Sequence, residues 1–359
     1  MVKRTLTALG LTLGISVSAL MAPAVAEEIE INFVSWGGAY TKSQVKAMIE
    51  PYRKLNPNVK INVIDYNGGL AEIKAQIEAK NVTWQIVDMT PQRGISGCDE
   101  GLFETLDKVE LPAGADGTPA REDFVDGALL ECYVGNISWA TVMAYNSKLV
   151  KGEPKSVADF WDLTKFPGKR SLRKIADVNM EWGLEADGVP RDKIYEVLDT
   201  PEGIDRAFKS LDKIKAQAVW WEAGAQPPQL LADGEVAFSS AYNGRLYNAI
   251  VKENQPIVLM WDTQVFDLDG FVIPKGAKHK DEVIKFLKFA TGTEVLARTT
   301  DWISYGPLRK SSMASVNPEI LPHLPTAPDN FKNAYQYNVE WWADHETELA
   351  ERFNAWLAK

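Results

Sequence analysis

Apolar and polar residues alternate from Glu28 to Ser35, with Ile29, Ile31 and Phe33 on one side, which predicts a first strand. The strand runs into Trp36-Gly37-Gly38-Ala39-Tyr40. Two glycines there permit a tight turn and a close backbone approach to a bound molecule. Thr41 or Ser43 can cap a helix that places Val45, Met48, Ile49 and Tyr52 on one face and ends at Asn56-Pro57. A second strand is expected over Val59 to Ile64, a helix around Leu70, Ile73 and Ile77, and a third strand from Trp84 to Met89, closed by Thr90-Pro91. Strand, helix, strand, helix, strand is the signature of an α/β fold with a parallel sheet under covering helices. Ligands of such sheets sit beyond the carboxyl ends of the strands, here Ser35-Trp36 and Met89-Thr90.

Farther along, Asp107 to Asp126 is rich in Pro, Gly and acids and reads as a surface loop. Asn136 to Tyr145 is apolar and β-prone, with Trp139 near its start, and reads as a strand crossing into a second domain. Ser156-Val157-Ala158-Asp159 is a capping-box pattern. A helix over Val178 to Ala186 and one opening at Thr200-Pro201 follow, the latter burying Ile204, Ala207, Phe208, Leu211 and Ile214. Strands are expected at Val219-Trp220-Trp221 and from Val236 to Tyr242, the second ending in Tyr242-Asn243-Gly244-Arg245. The C-terminal helix carries Leu349, Phe353, Trp356 and Leu357 on one face.

One strand carries unusual chemistry. Val265 to Pro274 is mostly apolar, yet it contains Asp267 and Asp269, which alternation places on one face with Phe271. A carboxylate among apolar neighbours is costly unless a cation or several donors meet it. Asp269 therefore either accepts turn amides or waits in a cleft for a ligand ammonium group. The run Lys169-Arg170-Ser171-Leu172-Arg173-Lys174 is a basic cluster directly after the Phe166-Pro167-Gly168 turn. Such runs are usually solvated, but this position allows one cation to face the same cleft.

Composition narrows the setting. Lys3 and Arg4, the apolar run Thr5 to Met21 and the small-x-small site Ala24-Val25-Ala26 form a secretory signal peptide, so residues 1–26 are expected to be removed and the mature protein to work in the periplasm. Loss of Lys3 and Arg4 makes the formal net charge of −10 more negative still. An acidic exported chain is a poor nucleic-acid binder and suits cationic solutes. Twelve tryptophans, several in polar company, suit a ligand cleft. Cys98 and Cys132 are the only cysteines, and an even count in an oxidising compartment points to one disulfide; the rival is a catalytic thiol with a free partner. His279, His323 and His345 are far apart, and no His-Glu-x-x-His, Gly-x-Ser-x-Gly, phosphate-loop or dinucleotide motif occurs.

The order of these pieces resembles the periplasmic spermidine/putrescine-binding family of ABC importers. The likeness covers nearly the whole mature chain. It rests on Trp36 to Tyr40, Asp159-Phe160-Trp161 before Phe166-Pro167-Gly168-Lys169, Asp233-Gly234-Glu235-Val236 leading to Tyr242-Asn243-Gly244, Asp269 to Pro274, and Tyr305-Gly306-Pro307. The resemblance implies a two-lobed periplasmic binding protein, each lobe a mixed sheet flanked by helices. Lobe 1 would be residues 27–139 plus 267–308, and lobe 2 residues 140–266 plus 309–359, hinged about a solute cleft. It implies a monomeric receptor with no metal and no cofactor, whose partner is an ABC importer permease in the inner membrane.

In that family aromatic rings flank the amine and acids bind its ends. The matching positions in this chain are Trp36, Tyr40, Thr90, Tyr242, Asp269 and Tyr305; the expected ligand-binding set adds Gly37, Gly38, Trp221 and Asn243, with Arg93 and Arg173 as departures from the family. Where the family has acids after the Pro-Gly-Lys turn, this chain has Arg173; Arg93 adds a second cation, and Asp267 stands in place of an aromatic. One acidic end and one basic end point to an ω-amino acid such as 4-aminobutyrate. If Arg173 faces solvent, Asp177 or Glu181 would supply a second acid for a diamine. Two other readings use the same fold: a thiaminase-like exported enzyme with a Cys98 or Cys132 nucleophile, and a ferric-ion receptor. The second needs clustered tyrosines, whereas Tyr335 and Tyr337 alternate.

Overall fold

Two long strands run the length of the molecule side by side, and everything else is hung on them. The computed structural model describes residues 1–2 and 28–359; apart from Met1 and Val2, the expected leader lies outside the described residues. The strands are β1 (Ile29–Ser35), β2 (Val59–Asp65), β3 (Ile86–Met89), β4 (Leu129–Leu130), β5 (Tyr133–Asn146), β6 (Arg170–Arg173), β7 (Ala218–Trp221), β8 (Phe238–Tyr242), β9 (Ile257–Val272), β10 (Gly306–Pro307) and β11 (Tyr335–Gln336). They form one sheet in the order β2-β1-β3-β9-β5-β8-β6-β7. The β1, β2 and β3 strands are mutually parallel, as the alternating strand and helix pattern requires. The β6 strand is likewise parallel to β7 and β8. The antiparallel pair β5 and β9 joins these two parallel halves.

Each half has its own core, so the chain is two-lobed. Ile31, Phe33, Met48, Ile86, Phe271 and Phe286 belong to the first. Phe160, Leu172, Trp182, Leu211, Phe238 and Trp342 belong to the second. Local signals set the helices between them. The Ser156 hydroxyl accepts from the Asp159 amide at 3.1 Å while the Asp159 carboxylate accepts from the Ser156 amide at 3.2 Å, completing the capping box. Thr200 caps Pro201–Lys215 through the Gly203 amide at 3.1 Å. The C-terminal helix Val339–Leu357 buries Leu349, Phe353 and Trp356 against the second core.

Two expectations change in detail. The stretch 107–126 contains a short helix, Ala120–Asp123, whose Asp123 forms a buried ion pair with Arg309 at 2.9 Å. The Asp269 strand does not begin at Val265; it continues back to Ile257. The reason it looks shorter in sequence is a bulge. Register jumps from Thr141↔Val265 to Met143↔Met260, and in the gap the Thr263 hydroxyl accepts from the Met143 amide at 2.8 Å. A side chain thus does the work of the missing ladder bond, and the alternation breaks there. No helix of the described residues is long and apolar enough to cross a membrane.

Candidate functional site

Asp269 lies on the part of β9 that pairs with the start of β5, opposite Ile137. It is 6 % exposed, and its Oδ1 has no hydrogen-bond partner. It opens on a small chamber of about 30 Å³ lined by Trp36, Tyr40, Asn67, Thr90, Trp139, Arg173, Glu222, Gly224, Tyr242, Arg245, Asp269 and Tyr305. Seven residues expected from the sequence therefore meet here: Trp36, Tyr40, Thr90, Arg173, Tyr242, Asp269 and Tyr305. Trp36 and Tyr40 follow β1, Thr90 follows β3, and Tyr242 ends β8, so the strand-end rule holds for both lobes.

The walls are built from rings set edge to face. Tyr40 meets Tyr305 with ring centroids 5.4 Å apart, and Tyr242 meets Trp139 at 5.0 Å. Behind them sits Asp88, fully buried in β3 and absent from the sequence reading. Its carboxylate accepts from Tyr40 Oη at 2.7 Å, Asn136 Nδ2 at 2.9 Å, Trp36 Nε1 at 3.2 Å and the Gln44 amide. That network fixes two walls of the chamber.

Four buried polar atoms of the lining have no partner among the described residues: Asp269 Oδ1, Thr90 Oγ1, Trp139 Nε1 and Arg245 Nε. Native interiors rarely leave such groups unmet, and these four line one chamber. Thr90 is the more telling because it stands at the N-cap of Pro91–Asp99 and makes no capping bond. Electrostatics agree. Burial pushes the Asp269 carboxyl well above the usual range, the charges of Asp88 and Asp267 push further, and Arg173 and Arg93 pull back. A cation at Oδ1 would relieve that penalty.

Two arginines of the lining stand beside Tyr242. The guanidinium carbons of Arg173 and Arg245 lie 5.8 and 6.0 Å from its ring centre. Arg245 reaches across the cleft to donate to the Trp36 carbonyl at 3.1 Å. The space it occupies explains Gly38: a Cβ there would come within 2.6 Å of Arg245 Nη1, and the backbone has φ +62°. The close approach expected at the glycine pair is thus to an arginine of the opposite lobe. Gly37, φ +71°, caps the helix Gly38–Gln44 at the rim.

Three expected residues lie elsewhere. Arg93 is in an adjoining chamber of about 20 Å³ with Arg173, Asp177 and Asp267, where it pairs with Glu346. Trp221 is 1 % exposed and backs Tyr242, its indole donating to Ser240 Oγ at 3.2 Å. Asn243 is buried and bridges the Ala140 amide, at 2.9 Å, to the Ser304 carbonyl, at 2.8 Å. Of the acids weighed for a diamine, Glu181 accepts from Tyr195 and Trp342 inside the second lobe, and only Asp177 borders the cleft. Elsewhere in the basic run, Arg170 donates to carbonyls including Phe160 and Gly168, and Lys174 pairs with Glu222. Sequence reasoning did not single out Asn67, Glu222, Gly224 or Asp88, took Trp139 only as a crossing residue, and left open which of Arg93, Arg173 and Arg245 faces the cleft.

The two cysteines are joined. Cys98 and Cys132 have Cα atoms 5.8 Å apart, and no free cysteine is found among the described residues. The Cys-nucleophile reading thus lacks its thiol. Tyr335 stacks on Tyr195 while Tyr337 borders the adjoining chamber, so the two do not converge as an iron site requires.

Residues 47–326 match the family described as bacterial extracellular solute-binding protein. The chain belongs to that family. Among relatives of this solute-binding protein, the gamma-aminobutyric acid-binding protein of Pseudomonas aeruginosa is 40 % identical over 341 residues, 95 % of this chain and 94 % of that one. The spermidine/putrescine-binding periplasmic protein of Escherichia coli is 24 % identical over 233 residues, 64 % of this chain and 65 % of its own. A solved structure described as a GABA receptor superposes with a TM-score of 0.79 at 32 % identity, covering 92 % of this solute-binding protein and 98 % of that chain.

Proposed function

We propose that this solute-binding protein receives a small zwitterion with an ammonium at one end and a carboxylate at the other, 4-aminobutyrate being the representative. It would act in the periplasm, as a monomer, and deliver the solute to an ABC importer permease. The observation that carries the reading is the unpartnered Asp269 Oδ1 in a chamber that also holds the unpartnered Arg245 Nε. Asp269 takes the ammonium. Arg245, with Arg173 also beside Tyr242, takes the carboxylate by charge-assisted hydrogen bonds. Trp36, Tyr40, Tyr242 and Tyr305 enclose the chain between them, their ring faces favouring the cationic end by roughly 0.5–2 kcal/mol each. The names of the Pseudomonas relative and of the GABA receptor support the same class.

The lobes would move as 27–139 plus 267–308 against 140–266 plus 309–359, with one amendment. Arg309 to Ser315 would travel with the first lobe, because Asp123 binds both the Arg309 guanidinium and the Ser311 amide.

A diamine is the second reading, favoured by Asp177 and Asp267 in the adjoining chamber. Titration calorimetry with 4-aminobutyrate, putrescine, butyrate and butylamine decides. Tight binding of 4-aminobutyrate, with the one-headed analogues at least a hundredfold weaker, is expected. Arg245→Ala is expected to weaken 4-aminobutyrate tenfold or more and to spare putrescine. Tight putrescine binding with no 4-aminobutyrate binding overturns the zwitterion reading.

A further inference from the structure

Asp88 is 0 % exposed and does not border the chamber, yet its carboxylate gathers four donors. Its Oδ1 takes the Trp36 indole; its Oδ2 takes the Tyr40 hydroxyl, the Asn136 amide and the Gln44 amide. Its main-chain carbonyl accepts the Tyr66 hydroxyl, and the Tyr66 ring lies 5.0 Å from that of Trp36. Burial raises the Asp88 carboxyl to about 7, while its donors from Tyr40, Asn136, Gln44 and Trp36 pull it back down, so its surroundings favour the acceptor-only, ionised form more than those of Asp269 do. Asp269 has the opposite surroundings, with no donor on Oδ1. Two buried carboxyls within each other's field do not both ionise cheaply. Of the pair, Asp88 therefore ionises first, and Asp269 keeps its proton longer.

We propose that Asp88 is the positioning residue of this chamber, fixing the Trp36 and Tyr40 walls and, by standing charged behind Asp269, making uptake of an ammonium expel a proton. The inference rests on Asp269 as the ammonium acceptor. Arrival of the cation forms an N⁺–H···O⁻ hydrogen bond at Asp269. The Asp269 O–H bond breaks, its electron pair stays on the carboxylate, and the proton passes to water. One positive charge enters and one leaves.

Other groups share the field. Asp267 on β9 adds to that of Asp88, while Arg173 at the end of β6 and Arg93 on the helix Pro91–Asp99 oppose it. Arg245 and Glu222 border the chamber from the second lobe. The phenols of Tyr40, Tyr133, Tyr242 and Tyr305 lie within reach of the Asp269 charge, and burial holds each of them neutral.

The test is calorimetric titration of the mature protein with 4-aminobutyrate from pH 5.5 to 8.5, in buffers of differing ionisation heat. The wild type is expected to release about one proton per solute on the acid side, with Kd falling about tenfold per pH unit until free Asp269 is ionised. Asp88→Asn, which keeps the shape and removes the charge, moves that rise to lower pH and shrinks the proton release at pH 7. The wild-type proton count stands whether or not the variant folds. Binding whose strength and heat ignore pH and buffer overturns the inference and leaves the amine reading intact. A folded Asp88→Asn with the wild-type profile overturns the role of Asp88. Failure of both 4-aminobutyrate and putrescine to bind at every pH rejects the amine reading, and this inference with it.

Discussion

Arg93 on the helix Pro91–Asp99 grips Glu346 on the helix Val339–Leu357, Nη2 to Oε1 2.5 Å and Nε to Oε1 2.9 Å. The first helix caps the sheet of one lobe and the second packs in the core of the other, so this pair spans the seam. Ser96 Oγ adds a bond to the Ala343 carbonyl at 3.1 Å, and Gln92 Nε2 one to Tyr337 Oη at 3.3 Å. Glu346→Gln leaves a buried guanidinium under-met. A loss of roughly 1–3 kcal/mol is expected in denaturant unfolding, with solute affinity changed far less.

Asp269→Asn is expected to weaken amine solutes a hundredfold or more, in line with the roughly 2–5 kcal/mol carried by a buried charged hydrogen bond. The melting temperature of the empty protein should hold or rise, because an unmet carboxyl is replaced by a neutral amide. A large fall in melting temperature would mean Asp269 is structural.

The disulfide closes a loop of sequence separation 34, from the end of the helix Pro91–Asp99 to the start of β5. Replacing both cysteines with serine is expected to cost about 3–4 kcal/mol of stability in the chain-entropy view. The check is urea unfolding of the variant against the oxidised parent.

Burial raises the carboxyls of Asp269, Asp267 and Asp177, and lifts that of Glu181 to about 7. A group whose folded pKa exceeds its unfolded value binds its proton more tightly in the folded state. Its stabilisation is full below the unfolded value and is lost as pH rises through the folded one. The empty protein should therefore melt at lower temperature at pH 8 than at pH 5.5. Saturating solute should flatten that slope by neutralising the Asp269 contribution. A melting temperature that climbs steadily from pH 5.5 to 8 in the empty protein contradicts this.

Gly38→Ala sets a methyl group against Arg245 Nη1 in a backbone conformation that L side chains resist. Displacing the guanidinium from the Trp36 carbonyl is expected to weaken a carboxylate-bearing solute about tenfold. Putrescine, tested beside it, should be affected less.

Asp269 was legible because a carboxylate inside an apolar strand is a local anomaly, visible without knowing what surrounds it. The strand ends at Trp36 and Thr90 were legible because periodicity fixes where strands stop. Arg93 misled because its partner, Glu346, is 253 residues away in sequence, beyond any local pattern. Arg245 could not be chosen over Arg93 and Arg173 as the arginine that faces the cleft, because its meaning comes from Gly38 and Trp36 across it. Asp88 sits in a four-residue buried strand, Ile86–Met89, where a single acid gives no period to read. Trp221 and Asn243 were expected to line the site, yet here they stand behind it. The length of β9 was hidden by Asp262, Thr263 and Gln264, which interrupt the alternation where the ladder is broken.

That broken ladder at Thr141 to Met143 bears on how the two halves part. A continuous ribbon of paired main chain is stiff, and twisting it sharply tears bonds. Here the tear is built in, and a threonine hydroxyl spans it like a loose stitch. The β5–β8 ladder runs unbroken past the same point, from Thr141↔Tyr242 to Met143↔Ser240, so the slack is on the β9 side alone. The contacts that tie the two halves together at the rim are Arg93 with Glu346 and Arg245 with the Trp36 carbonyl. A solute that engages Asp269 and Arg245 together adds a strut of its own across that gap, and its departure is governed by how readily the rim lets go.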